Sequence, residues 1–153
     1  MSWLSDKQII EKIRRNGSEE TQKAFHGIYS IDNLPEFISC LPCFLIINTH
    51  THNLPGEHWK TVFIDENRCG ELFDSLATPV SNFVIRWLNR FTRKWTTNKK
   101  RFQHPQTSTC GAFALYFILH RLDVGDMDTL TKTFSSRAYA NEEKIVAFYR
   151  SLK

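Results

Sequence analysis

The chain has 153 residues, 41% apolar and 24% charged, with a formal net charge of +4. This composition suits one soluble domain over residues 1–153 and excludes a disulfide-dense scaffold, a coiled coil or a low-complexity chain. No run reaches the roughly 18 apolar residues of a membrane span, and Met1-Ser-Trp-Leu-Ser-Asp-Lys-Gln8 lacks the basic and apolar regions of a signal peptide, so an intracellular protein with reduced thiols is expected.

Ser5-Asp-Lys-Gln8 fits a capping box, followed by Ile9, Ile10 and Ile13 at helical spacing. Gly17 predicts the end of that helix, and Ser18 to Phe25 a second short one. His26 to Glu36, with Gly27, Asp32, Asn33 and Pro35, reads as loop. Cys43-Phe-Leu-Ile-Ile47 is a continuous apolar run, as expected of a strand buried on both faces. His50 to Glu57 reads as a polar loop. Trp59 to Ile64 and Cys69 to Phe73 read as strands of a hairpin turning at Asp65-Glu-Asn-Arg68.

Thr78-Pro79 predicts a helix start, and Val80, Phe83, Val84, Trp87, Leu88 and Phe91 supply an apolar stripe. Lys100 to Gln103 is a further strand candidate. Cys110 to Leu119 is apolar nearly all round and predicts a central buried helix. Two shorter helices, from near Asp128 and near Asn141, close the chain, the last burying Ile145, Phe148 and Leu152. The fold class is α+β, a small central mixed or antiparallel sheet flanked by helices.

Charge is unevenly distributed. Ser75 to Leu122 contains no acid and eight basic residues, leaving 12 basic against 16 acidic residues elsewhere. Arg86, Arg90, Arg93 and Lys94 lie away from the apolar stripe of their helix. They form a candidate surface for non-specific DNA contact.

Cys110 opens the buried helix after a polar loop. A helix N-terminus favours the thiolate, the nucleophilic form of cysteine. A thiol nucleophile needs a base, and the base needs an orienting acceptor. His58 and Asp74 fall at the same open end of the predicted hairpin, which brings them together across the sequence. The Cys110 backbone N–H can donate to a developing oxyanion, joined by the side-chain amide of Gln103 or Gln106. Cys40-Leu-Pro-Cys43 with His50 and His52 has zinc-like composition, but Cys43 begins an apolar strand, so no metal is expected.

The order His58-Trp59, Phe73-Asp74, Gln103-His-Pro-Gln106, Cys110-Gly111 resembles the ubiquitin-like-protease superfamily of cysteine peptidases, and within it the adenain-like, adenovirus-type maturation proteases. Phe25-His-Gly-Ile-Tyr29, Ile46-Ile-Asn-Thr49, Gly56-Glu-His-Trp59, Leu72-Phe-Asp74 and Asn141 to Phe148 match further elements of that family in order. The resemblance implies a papain-like core with Cys110 as nucleophile, His58 as base, Asp74 as its orienter and Gln103 rather than Gln106 at the oxyanion. It implies that Trp59 walls a narrow substrate cleft, with cleavage after Gly-Gly or Gly-x-Gly sequences.

The activity implied is viral-type endopeptidase processing of capsid or core precursors by a monomer, in the virion and the host nucleus or cytoplasm, away from membranes. A deubiquitinase or SUMO-type isopeptidase of the same fold is the alternative; a catalytically silent DNA-binding module is another. No small-molecule cofactor is implied. DNA and a short viral peptide are the activators of such enzymes, but no cysteine lies between Cys69 and Cys110 to link a peptide by a disulfide. The family's Tyr-Asp is Tyr29-Ser30 here, with Asp32 two residues on.

Overall fold

Cys43–Asn48 forms β2, and alternate residues of its apolar run feed two different cores. Phe44 and Ile46 enter the larger one, Cys43, Leu45 and Ile47 the smaller. A strand apolar on both sides needs cover on both sides, and the helices supply it. The computed structural model describes residues 4–49 and 58–153. The sheet has five strands in the order β1-β2-β3-β4-β5: β1 Phe25–Ser30, β2, β3 Trp59–Ile64, β4 Cys69–Phe73 and β5 Lys94–Thr97. β2–β3 and β3–β4 are antiparallel, while β1–β2 and β4–β5 are parallel, so the sheet is mixed.

The predicted β3–β4 hairpin forms, pairing Thr61 with Phe73 and Ile64 with Gly70. The Asp65 carboxylate accepts from Asn67 N and Cys69 N and fastens the turn. By strand alternation Trp59 and Phe63 face one layer, while Lys60, Val62 and Ile64 face the other. That parity later decides where the site's charges lie.

The helices are α1 Asp6–Asn16, α2 Glu19–Ala24, α3 Asn82–Phe91, α4 Cys110–Val124, α5 Met127–Thr131 and α6 Ala138–Ser151. The Ser5/Gln8 capping box forms in both directions. Ile9 and Ile13 are buried while Ile10 turns outward. α4 is buried nearly all round, with Phe117 stacked on Phe73 at 4.9 Å and meeting Phe44 edge-on at 6.3 Å. Late in α4 the buried Arg121 guanidinium donates to Glu71 of β4 at 2.6 and 3.1 Å and covers the Phe63 ring, tying helix to sheet.

Three expectations need correction. His26 to Glu36 is not all loop: residues 25–30 form edge strand β1, which borrows its order from β2. Gly27, at φ 152°, sits where the register shifts. The α3 helix begins at Asn82 with Ser81 as its cap, because the Thr78 backbone N–H and hydroxyl are both engaged by Asp74. As a result Phe83 is largely exposed and Val80 packs from outside the helix. The fifth strand is residues 94–97 rather than 100–103. Phe102 and Gln103 instead donate their backbone N–H groups to the Ser75 carbonyl, fixing a loop under the end of β4. The predicted loop 50–57 lies outside the described residues.

Candidate active site

The end of β4 is the hub. Asp74 is 1% exposed, and its carboxylate collects five donors. Oδ1 accepts from His58 Nε2 at 2.6 Å and Leu76 N at 2.9 Å. Oδ2 accepts from Thr78 N at 2.8 Å and Thr78 Oγ1 at 2.6 Å, with Lys60 Nζ at 3.2 Å. Its backbone is clamped by Asn98, whose Oδ1 accepts from Asp74 N and whose Nδ2 donates to Asp74 O. Burial by itself would raise the Asp74 pKa. The hydrogen bond and charge of His58, then Lys60 and the Thr78 hydroxyl, outweigh it and hold the group well below the usual carboxylate range.

With Nε2 donating to Asp74, the His58 ring carries its lone pair on Nδ1, which is buried and has no hydrogen-bond partner. A buried, unpartnered acceptor is costly unless it has a task.

Cys110 is the first residue of α4 and fully buried. The backbone N–H groups of Trp59, Gly111 and Cys110 itself lie near enough to its thiol to favour the thiolate, which places the sulfur at the His58–Trp59 junction. At the start of α4 the cap residue Thr109 takes up no backbone N–H with its side chain; its hydroxyl donates instead to Glu142 of α6 at 2.7 and 2.9 Å. The expected lowering of the thiol pKa does not occur. Burial pushes it up to about 11, the three amides offset only part of that, and the Asp74 charge adds to the rise. The resting group at neutral pH is a thiol.

Gln103 is fully buried, and its amide is oriented. Oε1 accepts from the Ser75 hydroxyl at 2.6 Å, which turns Nε2 toward Thr107 O at 3.1 Å and Thr107 Oγ1 at 3.3 Å. Gln106 is exposed. Trp59 is buried rather than open to a cleft, its indole donating to the Leu4 carbonyl at 3.3 Å. The space beside Gly111 is filled: a Cβ there would lie 3.2 Å from Leu4 and 3.3 Å from Trp59.

Arg86, Arg90, Arg93 and Lys94 are all exposed. A separate cleft of about 600 Å³ carries Lys99, Lys100, Arg101 and Lys132, with Asp128 the one carboxylate in its lining. Of the zinc-like set, Cys43 is buried in β2 with its thiol raised to about 12 by burial first and by Cys40 second. His50 and His52 lie outside the described residues, among which no group of three or more His, Cys, Asp or Glu side chains is arranged to hold a metal ion.

Sequence reasoning overlooked Lys60, Thr78, Ser75, Asn98 and Glu142. Lys60 did leave a signal: one charge in the otherwise apolar and threonine run Trp59 to Ile64. The others hold the site through hydrogen bonds that only the folded chain brings together.

No family model matches the chain, and no curated protein matches its sequence. Solved structures do. The chain is similar to an ASFV protease, at 19% identity over 88% of this chain and 62% of that one, TM-score 0.66. It is similar to ChlaDub1 from Chlamydia trachomatis, at 19% identity over 72% of this chain and 58% of that one, TM-score 0.55. The effector ChlaDUB of Chlamydia abortus aligns at 15% identity over 95% of this chain and 77% of that one, TM-score 0.52. The chain thus spans about three fifths of the first two. It shares with these proteins a mixed α+β fold, a five-stranded sheet flanked by helices.

Proposed function

We propose that this chain is a cysteine peptidase in which Cys110 is the nucleophile, His58 the base, Asp74 its orienter and Gln103 an oxyanion donor. The observation that carries the reading is the His58 ring, pinned by Asp74 through Nε2 with a bare Nδ1 at the strand end where the thiol sits. His58 Nδ1 takes the thiol proton as Sγ bonds to the scissile carbonyl carbon. The oxyanion is held by the Cys110 N–H and Gln103 Nε2. Nδ1 then protonates the leaving amine as the C–N bond breaks. A water that gives its proton to His58 hydrolyses the thioester and restores the thiol.

The substrates fitting the resemblance are viral capsid or core precursors cut after Gly-Gly or Gly-x-Gly, in the virion and host nucleus or cytoplasm. Removal of ubiquitin-like tags by the same chemistry is the alternative. The test is a Gly-Gly peptide with a thiol-reactive alkyne terminus. It should label Cys110 at neutral pH and spare Cys40, although Cys40 is the exposed thiol that iodoacetamide should modify first. Labelling of Cys40 instead, or of none, would overturn the assignment. Cleavage of a Gly-x-Gly precursor peptide beside a ubiquitin-like fusion separates the two substrate classes.

A second reading, polyanion contact, is favoured by the exposed Arg86, Arg90, Arg93 and Lys94 and the basic cleft. DNA would then bind without sequence preference and stimulate turnover. Binding should fall steeply between 50 and 200 mM salt, by about 10³-fold if six phosphates are engaged. Salt-independent binding, or none at low salt, removes this reading.

A further inference from the structure

Lys60 has no part in the chemistry written above, yet it is a buried cation at the centre of the site. It is 4% exposed. The β3–β4 register pairs Thr61 with Phe73, and one step further along the ladder sets Lys60 opposite Asp74. Strand alternation places His58 two residues away on that same face. The Asp74 carboxylate therefore has a cation on each oxygen when His58 is protonated: His58 on Oδ1 at 2.6 Å and Lys60 on Oδ2 at 3.2 Å.

We propose that Lys60 is a positioning residue of this site, an ammonium that shares the Asp74 carboxylate with His58 and sets the pH at which His58 gains a proton. The proposal rests on the triad reading above.

The physical reason is charge balance in a buried place. An Asp74 carboxylate facing only an imidazole favours the imidazolium, since an opposite charge nearby stabilises the charged form. Lys60 neutralises that carboxylate in advance. A proton arriving on His58 then joins a site that is already neutral. The consequence is a weaker pull toward the imidazolium, and so toward an imidazolium and thiolate pair, than Asp74 would exert alone. The burial of Cys110 and its raised thiol pKa are in keeping with this.

Among the described residues, Asp74 meets His58 directly, Lys60 shares that carboxylate, and the Cys110 thiol lies beside the Trp59 N–H next in sequence to His58. The cavity of about 330 Å³ beside His58 and Lys60 is otherwise lined by uncharged groups, Thr49 from the end of β2, Thr78 and Ser81 ahead of α3, and Val84 within it. No second cation in that lining takes over if Lys60 is removed.

The test is Lys60→Met, which keeps the length of the side chain and removes its charge, with Lys60→Arg as the conservative partner. The His58 ring is titrated by NMR in the full chain, which requires no turnover. The expected result is a His58 midpoint about one pH unit higher in Lys60→Met. Lys60→Arg should return it toward the parent value. The pH profile of Cys110 labelling by the Gly-Gly alkyne peptide should move to higher pH with the midpoint.

A purely structural role would lower the melting temperature and leave the His58 midpoint in place, and that result overturns the proposal. Should Lys60→Met not fold, Lys60→Gln is titrated instead, since it keeps a hydrogen bond to Asp74 without the charge. The two readings fail separately. An inert Cys110 in the parent chain removes the peptidase assignment, whereas an unmoved midpoint beside a reactive Cys110 removes only the role of Lys60.

Discussion

Cys110→Ala is expected to lower peptide turnover by on the order of 10⁶-fold, the scale seen when a covalent nucleophile is deleted. The loss should fall on kcat rather than on substrate binding, because the backbone N–H groups at the start of α4 and the oriented Gln103 amide remain. Stability should change by only about 1 kcal/mol. The deleted group is one buried sulfur at the first position of a helix, where alanine is a good helix former. Steady-state kinetics and thermal unfolding on the same preparation check both halves. Retained turnover with an intact fold would mean that another residue carries the reaction.

Asp74→Asn should reduce kcat by about 10⁴-fold. All five partners of the carboxylate, His58 Nε2, Leu76 N, Thr78 N, Thr78 Oγ1 and Lys60 Nζ, act as donors. An asparagine offers one oxygen and one NH₂. If its oxygen faces His58, the NH₂ meets the Thr78 N–H and the Lys60 ammonium. If it turns over, the NH₂ meets His58 and drives the imidazole proton to Nδ1, the atom that in the proposed mechanism accepts the thiol proton.

Stability should respond as well. The folded pKa of Asp74 is depressed, so its ionisation stabilises the fold fully above about pH 4, the unfolded aspartate value. That contribution is lost as pH falls below it toward the depressed folded value. The melting temperature of the parent chain should therefore drop on acidification below about pH 4 more steeply than that of Asp74→Asn. Parallel acid limbs would show that Asp74 is not ionised in the fold as described.

Much of this site could be read along the chain because its parts sit at the ends of strongly patterned elements. The hairpin of β3 and β4 is declared by two short apolar runs and an Asp-Glu-Asn-Arg turn, and its open end gathers His58 and Asp74 without any distant contact. Cys110 is legible for a similar reason, at the boundary between a polar loop and an apolar helix. The capping box at Ser5 and the Ile9/Ile13 stripe are equally local.

Other features depended on partners far away in sequence. β1 has little pattern of its own and becomes a strand because β2 offers it a parallel edge. Thr78-Pro79 carries the local signature of a helix start, but Asp74 engages the Thr78 N–H and hydroxyl, and the start moves to Ser81. Gln103 and Gln106 are equivalent locally. Only the Ser75 hydroxyl and the loop beneath β4 bury the first, while the second stays exposed.

The sequence by itself determined which residues stand at the ends of the elements and with what chemistry, because periodicity, turn residues and caps act over a few positions. The tertiary structure alone decided the electrostatic state of the site. The macrodipole of α4 favours a thiolate locally, but the burial created when α4 packs on the sheet and under Leu4 and Trp59 outweighs it. The same packing brings Lys60 onto Asp74, since strand register and desolvation are properties of the assembled layers and not of any one segment.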